Sequence, residues 1–221
     1  MIQSVTEREV DAYNQRGYVV PDIQLSAERI GELDAAVHRL IANNPDVRPE
    51  RLVSVHIDRM NDEGVRGDAA FFKLASDPLI VDAVSQVMGP DVVLWGCHVF
   101  WKPTSDGMEV PMHQDGHYWP IKPLESCTAW VAIDGSTIEN GCLRLVPGSH
   151  KARRSFQHGL SEREGLVLNQ YVDDPEVDLS MAEDVELRAG QFSLHDIHMI
   201  HGSNANRSGK RRAGVAIRYM P

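Results

Sequence analysis

The feature that most constrains the fold is a change in the sequence pattern near residue 90. From there onward, short runs rich in β-branched and aromatic residues alternate with turn-forming pairs such as Asp134-Gly135, Asn140-Gly141 and Pro147-Gly148. This alternation is typical of short strands separated by turns. The runs are DVVLWGCHVFWKP, SCTAWVAIDG, GCLRLVPGS, DVELRAG, QFSLHDI and RRAGVAIRYMP. So many short strands predict a β-barrel or a two-sheet sandwich.

The first ninety residues have the pattern of helices instead. In LSAERIGELDAAVHRLIANNP, apolar residues recur at helical spacing, and Ser26 is suited to cap the start of the helix. The segments TEREVDAYNQRG and SDPLIVDAVSQVMGP predict two more helices, which end at Gly17 and Gly89. A short β run, GYVVP, follows the first of them.

These patterns predict a mainly β protein with a helical N-terminal layer, in which residues 1–90 cover a β-core formed by residues 91–221. No repeat and no low-complexity linker interrupts the sequence, so residues 1–221 are expected to form a single domain. The polar segment from Gln157 to Glu183 is long for a connection in a compact domain. Loops of that length are often functional lids.

Composition narrows the possible functions. The formal net charge of the 221 residues is −10, which disfavours nucleic acid and anionic membrane surfaces as partners. Cys97, Cys127 and Cys142 form no C-x-x-C pair, so neither a disulfide framework nor a thiolate zinc site is indicated. No apolar stretch reaches the length of a membrane span, and the charged N-terminus lacks the apolar core of a signal peptide. We expect a cytoplasmic monomer or homodimer that acts on a small molecule.

The stretch MHQDGHYWP, residues 112–120, contains a candidate metal-binding pair. In a strand, residues two apart share a face, so His113 and Asp115 would point the same way. The same spacing occurs in His56-Ile57-Asp58, so the spacing alone decides nothing. One more imidazole would complete the two-histidine, one-carboxylate set of non-haem Fe(II) oxygenases.

That imidazole has three candidates in QFSLHDIHMIHGS, namely His195, His198 and His201. Their spacing would also suit a helical histidine stripe or a zinc cluster with Asp196, although the nearby glycines and the β-rich context disfavour a helix. In a strand, His195 and His201 would share one face and His198 the other, unless a bulge intervenes. Spacing cannot choose between His195 and His201.

A pair of arginines begins the last predicted strand. Arg212 would share its face with small residues that leave space inside a barrel, whereas Arg211 would face solvent. A buried arginine needs a partner, because an unpaired buried charge is very costly. A dicarboxylate ligand would supply one, and so would a structural ion pair with Asp134 or Glu139.

Four blocks of residues, taken together and in order, resemble the phytanoyl-CoA dioxygenase-like family of Fe(II)/2-oxoglutarate-dependent oxygenases. They are His113-Gln114-Asp115 with Tyr118-Trp119-Pro120, Asn140-Gly141-Cys142-Leu143 with Pro147-Gly148-Ser149-His150, His201-Gly202-Ser203 with Asn206, and Arg212. The resemblance implies a double-stranded β-helix, the cupin-like jelly roll, with helices packed against one sheet.

The resemblance also implies roles for individual residues. His113, Asp115 and His201 match the family's iron ligands. Arg212 and Ser203 match the residues that hold the distal carboxylate of the cosubstrate, 2-oxoglutarate. The residues that match positions bordering the cosubstrate are Trp130 and His98.

The activity that the resemblance implies is an oxidation by O2, in which 2-oxoglutarate becomes succinate and CO2 while a substrate C–H bond is hydroxylated. Related halogenases have a small residue where this chain has Asp115. Hydroxylation, or a related oxidation such as desaturation, is therefore favoured over halogenation. The family acts on chemically diverse small molecules, so the substrate does not follow.

Other residues have weaker predictions. Neighbouring positions line the substrate side of the iron in related proteins, which predicts that role for His117 and Tyr118, while Trp119 is expected to pack the strand end. His56-Ile57-Asp58 is interpreted as a strand ahead of the core. Two rival functions would use the same three ligands, a non-catalytic cupin-like sensor and a zinc hydrolase, but neither needs Arg212.

Overall fold

The computed structural model describes residues 4–221, and its α-helices lie within the first ninety residues. They are α1 (Glu7–Arg16), α2 (Ala27–Asn43), α3 (Ala69–Ala75) and α4 (Pro78–Met88). Side chains cap the starts, including Ser26 for α2, and Gly17 ends α1 with a φ of 84°. Three helices confirm the sequence prediction. The short α3 was not predicted, because its 7 residues show too little of the helical period.

The strands form two main antiparallel sheets in jelly-roll order. The strands are β1 (Tyr18–Val19), β2 (Leu52–Val53), β3 (Val93–Lys102), β4 (Val110–His113), β5 (Cys127–Ala132), β6 (Leu143–Leu145), β7 (His158–Leu160), β8 (Gln170–Val172), β9 (Glu183–Val185), β10 (Phe192–Asp196), β11 (His201–Ser203) and β12 (Arg212–Met220). The major sheet has the order β1-β10-β5-β12-β3-β2, and the minor sheet has the order β4-β11-β6-β9. Strands β7 and β8 pair as a separate hairpin.

The two faces of the major sheet differ in character. Alternate residues of β12, Ala213, Val215 and Ile217, are fully buried in the apolar cluster that α2 and α4 share with this sheet. The intervening residues face the minor sheet, and among them are Arg212 and Arg218. The helices thus cover the apolar face, and the polar face lines the space between the sheets.

A cavity of about 340 Å³ lies between the two sheets. Leu143, Leu145 and Val185 of the minor sheet pack with Trp130 and Ala132 of the major sheet beside it. This contact holds the sheets together, so the polar positions of β12, β3 and β5 converge on the cavity.

The predicted strand at His56-Ile57-Asp58 is wrong. Strand β2 ends at Val53, and Ser54 follows with a φ of 52°, which breaks the extended backbone. The Asn61 side chain donates to the Val53 carbonyl and ties this turn in place. His56 consequently lies in a turn. Val53, at the end of β2, lines the cavity.

The segment from Gln157 to Glu183 has more structure than its polar composition suggests. It contains the β7–β8 hairpin, and Leu168 reaches the cavity wall. A lid function for it stays a prediction. Among residues 4–221, no helix has both the length and the apolar character needed to cross a membrane.

Candidate metal and cosubstrate site

Three buried side chains meet at the cavity, from the ends of two paired strands. His113 ends β4, and His201 begins β11 directly opposite it. Asp115 follows β4 by two residues and places Oδ1 3.5 Å from His113 Nε2. One ligand atom from each of the three residues lies within 4.8 Å of the other two. A single metal ion would fit among them.

Asp115 reaches this position from a turn and not from a strand, which corrects the local geometry predicted from sequence. The chain leaves β4 after His113 and forms a single 3-10 turn over Asp115–His117. The Gly116 amide donates to the Ile197 carbonyl, and the Tyr118 amide donates to the Asp115 carbonyl. The carboxylate still faces the same way as His113.

Backbone carbonyls orient both histidines. Nδ1 of His113 lies 2.8 Å from the Pro111 oxygen, and Nδ1 of His201 lies 3.0 Å from the Met199 oxygen. A carbonyl only accepts, so each Nδ1 donates and each Nε2 presents a lone pair. Metal-binding histidines typically have this outer hydrogen bond.

The electrostatics of the triad favour a metal-binding protonation state. Burial alone would raise the pKa of Asp115, but the Arg218 charge and the His113 hydrogen bond outweigh it and hold that pKa well below its usual range. Burial, followed by the charge of His113, lowers the pKa of His201 well below its usual range. One carboxylate with two imidazole nitrogens is the donor set that Fe(II) takes in oxygenases.

The opposite end of the cavity carries a buried arginine without an acidic partner. Arg212 is 2% exposed. Within residues 4–221, its side chain makes one hydrogen bond, which it donates to the Gly141 carbonyl, 2.7 Å away. Its Nε is buried without a partner, and its guanidinium lies 5.1 Å from the Trp130 ring centroid. A free, buried guanidinium facing a cavity suits a carboxylate ligand.

A structural ion pair for Arg212 is excluded in this structure. Asp134 instead pairs with Arg211 at 3.0 Å, and Glu139 pairs with Lys210 at 3.5 Å. Asp134 therefore lies with Arg211 on the outer side of the sheet, and the pair of Glu139 and Lys210 is exposed at the surface.

The model of the phytanoyl-CoA dioxygenase (PhyH) family matches residues 13–214 of this chain. The chain belongs to the phytanoyl-CoA dioxygenase family. A Caenorhabditis elegans relative named "Probable phytanoyl-CoA dioxygenase" is 34% identical over 160 residues, which are 69% of this chain and 51% of that protein. An ectoine dioxygenase of Bordetella parapertussis is 26% identical over 237 aligned positions, covering 96% of this chain and 74% of that protein.

Solved structures of other proteins share the fold. ThoJ, a non-heme monooxygenase, has a TM-score of 0.78 at 25% identity and covers 96% of this chain and 76% of ThoJ. EvdO2 from Micromonospora carbonacea in complex with 2-oxoglutarate has a TM-score of 0.79 at 19% identity, over 100% and 92% of the two chains, a likeness of fold alone. This chain spans about half the length of the first phytanoyl-CoA dioxygenases that it matches.

Ser203, the predicted hydroxyl companion of Arg212, lines the same cavity. Its Oγ accepts a hydrogen bond of 2.7 Å from Nζ of Lys102, so the hydroxyl proton is free to be donated into the cavity. Lys102 is fully buried and also donates to the carbonyl of Asn204. Burial, followed by the Arg212 charge, lowers the pKa of Lys102 to about 6.

Of the two residues predicted to border the cosubstrate, both line the cavity. Trp130 stacks on Arg212, as described above. His98 places Nε2 3.0 Å from the Glu50 carbonyl, and its ring stacks on Phe100 with centroids 3.8 Å apart. Burial lowers the pKa of His98 to about 3, so the ring is neutral.

The structure separates His117 from Tyr118. Tyr118 lines the cavity with a buried hydroxyl that has no partner within residues 4–221, and its ring meets that of His113 edge-on. His117 is exposed and lies outside the cavity wall, stacked on His158 at 4.0 Å. Trp119 does not simply pack the strand end, because it also lines the cavity.

The three histidines of the 195–201 segment divide into the sets predicted from sequence, although a turn and not one continuous strand produces the division. His195 and His201 both line the cavity, with ring centroids 4.8 Å apart. His198 lies outside it, where its Nδ1 is 3.2 Å from Asp196. The chain turns between β10 and β11, so the two cavity histidines come from different sheets.

Sequence reasoning missed Lys102, Arg218, Thr128 and the cavity role of His195. The available signal was period-two spacing. Lys102 lies four residues after His98 in β3, and Arg218 lies six after Arg212 in β12, so each shares a face with a predicted site residue. Thr128 is opposite both His195 and Arg218 in the sheet register.

Proposed function

We propose that this chain is an Fe(II)- and 2-oxoglutarate-dependent dioxygenase that hydroxylates a small molecule. His113, Asp115 and His201 would hold the iron. Arg212 and the Ser203 hydroxyl would hold the distal carboxylate of 2-oxoglutarate. The observation that carries the proposal is the combination of a buried two-histidine, one-carboxylate cluster with an unpaired buried guanidinium in one cavity.

The chemistry of such a site comes from the bound groups. Iron and 2-oxoglutarate would supply the oxidation, in which O2 and 2-oxoglutarate yield succinate, CO2 and a hydroxylated substrate. The protein's part is to orient these groups and to exclude water. Trp130 and Phe100 line the walls around the proposed cosubstrate position, which limits water at that end.

Asp115 favours hydroxylation over halogenation, because the carboxylate occupies a coordination position that a halide would need. Solved structures with this fold include a non-heme monooxygenase, ThoJ, and an α-ketoglutarate-dependent epimerase, SnoN. A product assay should therefore distinguish a hydroxylated product from an epimer of the substrate.

An anaerobic titration tests the proposal. Fe(II) and 2-oxoglutarate together should produce a weak visible charge-transfer band that neither gives alone. His201→Ala should abolish the band, and His198→Ala is the matched control, since His198 is also buried but lies outside the cavity. Iron binding without any band would favour the rival function, a metal-binding sensor. Zinc-dependent hydrolysis without 2-oxoglutarate would favour the hydrolase.

A further inference from the structure

A second cationic site lies on the other side of the metal cluster from Arg212. Arg218 projects from β12 into the cavity, with its side chain 15% exposed. Its Nε is 3.4 Å from Asp115 Oδ2, and the guanidinium lies 5.1 Å from the Trp119 ring centroid. Its two terminal nitrogens make no hydrogen bond within residues 4–221. Both Arg218 and Trp119 line the cavity.

Unpartnered polar atoms accompany Arg218. Thr128 is directly opposite Arg218 in the sheet, and His195 is directly opposite Thr128. Directly opposed residues place their Cβ atoms about 5 Å apart on one face. The Thr128 hydroxyl and both His195 ring nitrogens are buried and have no hydrogen-bond partner within residues 4–221. Buried polar atoms normally have a partner, so these indicate a ligand.

This cluster is separate from the proposed cosubstrate position. Arg218 and Arg212 are six residues apart on one strand, so their Cα atoms lie roughly 20 Å apart. Their guanidinium groups also have different neighbours, because Arg218 contacts Asp115 whereas Arg212 contacts the Gly141 carbonyl and Trp130. An anion bound by Arg218 would therefore be a second ligand.

Charge leads to the same conclusion. In the loaded site, the two charges of Fe(II) and the charge of Arg212 would offset Asp115 and the two carboxylates of 2-oxoglutarate. The guanidinium of Arg218 would then share its one acidic partner, Asp115, with the metal, so an anionic ligand would offset its charge.

We infer that the substrate is a small organic anion whose carboxylate is held by Arg218, with hydrogen bonds from Thr128 and His195. The planar guanidinium suits a carboxylate, and the hydroxyl and ring N–H add donors. The cavity of about 340 Å³ must hold both ligands, so the substrate is small. This inference rests on the proposed function for the position of the cosubstrate.

The test compares pairs of acids with their amides, because the two differ mainly in charge. Suitable pairs are L-proline with L-prolinamide and 3-phenylpropanoate with 3-phenylpropanamide, added anaerobically to protein saturated with Fe(II) and 2-oxoglutarate. Binding is followed by the change in the charge-transfer band and by tryptophan fluorescence, since Trp119 contacts Arg218. At least one acid should bind about tenfold or more tightly than its amide, as expected for a charge-assisted contact.

Variants assign the preference to this cluster. Arg218→Gln should remove the preference for acids, and Arg218→Lys should retain part of it. Thr128→Val should weaken acid binding several-fold while iron and 2-oxoglutarate bind as before. Arg144→Gln is the control, because Arg144 pairs with Asp184 outside the cavity wall.

Three results would overturn the inference: no acid in the panel binds, acids and amides bind equally, or the preference survives in Arg218→Gln. Should Arg218→Gln lose iron through its contact with Asp115, Thr128→Val and Arg218→Lys still decide the question. Failure of the proposed function is a separate result, the absence of the band before any acid is added. In that case, tryptophan fluorescence still reports whether Arg218 selects acids.

Discussion

Arg211 and Arg212 are neighbours in sequence with opposite surroundings. Arg211 is partly exposed and pairs with Asp34 and with Asp134 across the outer side of the sheet. Arg212 points inward, and the only hydrogen bond of its side chain within the described residues is donated to the Gly141 carbonyl. Strand alternation alone produces this difference. One arginine stabilises the fold, and the other is available to a ligand.

The two arginines make a matched pair for mutation. Arg212→Ala should weaken 2-oxoglutarate binding at least about 30-fold, because it removes a buried charged partner, and should leave iron affinity nearly unchanged. Arg211→Ala should leave 2-oxoglutarate affinity unchanged and lower the free energy of unfolding by about 1 kcal/mol. Calorimetric titration and urea unfolding measure both effects. Equal losses of iron and cosubstrate in Arg212→Ala would contradict the role proposed for Arg212.

Lys102 predicts a pH dependence of stability. Its pKa is about 6 in the folded protein, against an ordinary value of 10.5. Between these values the unfolded chain binds the proton more strongly, so this residue makes the ligand-free protein more stable as pH rises from about 6 to 10. Lys102→Met should flatten that rise, measured by urea unfolding across the range.

Lys73→Met is the control for Lys102→Met, because the Lys73 side chain is 65% exposed and pairs with Glu32 at the surface. The stability of Lys73→Met should rise with pH as steeply as that of the wild-type protein. Saturating 2-oxoglutarate should reduce the slope, since a nearby carboxylate favours the charged lysine. A wild-type slope in Lys102→Met would mean that Lys102 is charged throughout this range.

At the scale of elements, one side chain joins the segments that carry the site. Gln114 donates to the carbonyls of Arg154 and His198 and accepts from the Phe156 amide. These bonds tie the end of β4 to the segment before β7 and to the turn before β11. Both flanking residues, His113 and Asp115, depend on that end of β4 for their positions.

Gln114→Ala should lower the free energy of unfolding by about 2–4 kcal/mol, since it leaves several buried groups without partners. It should also weaken iron binding, although Gln114 does not face the metal cluster. Gln86→Ala, an exposed glutamine on α4, is the control and should have little effect on either quantity. Unfolding in urea and titration with Fe(II) provide the two measurements. Unchanged iron affinity in Gln114→Ala would show that the strand end is held by other contacts.

Sequence predicted the elements better than the contacts between them. The periods of α2 and β12 are local properties, and both were predicted. The turn at Asp115 depends on the Ile197 carbonyl, which is far away in sequence. Thr128 gains its place in the cavity only from its register with His195 and Arg218. Such pairings are set by tertiary packing, which a single sequence does not display.

At the scale of the whole molecule, the main apolar core lies apart from the metal cluster. The helices and the major sheet share a large apolar cluster that contains none of the three proposed ligands. His113 and His201 already face each other across paired strands β4 and β11. A metal ion would therefore bind to strands that backbone hydrogen bonds hold together. The ligand-free protein should be folded.

Metal removal and cosubstrate addition test this arrangement. Protein treated with a chelator should keep its secondary structure and unfold cooperatively. In the presence of Fe(II), 2-oxoglutarate at about 100 times its own Kd should raise the free energy of unfolding by about 2.7 kcal/mol. For a chain of this size that is an increase in Tm of roughly 5–10 °C. In Arg212→Ala, the metal should still raise Tm, but 2-oxoglutarate should add little further increase. Anaerobic scanning fluorimetry with circular dichroism measures these changes. An unfolded metal-free protein would mean that the cluster stabilises the fold itself.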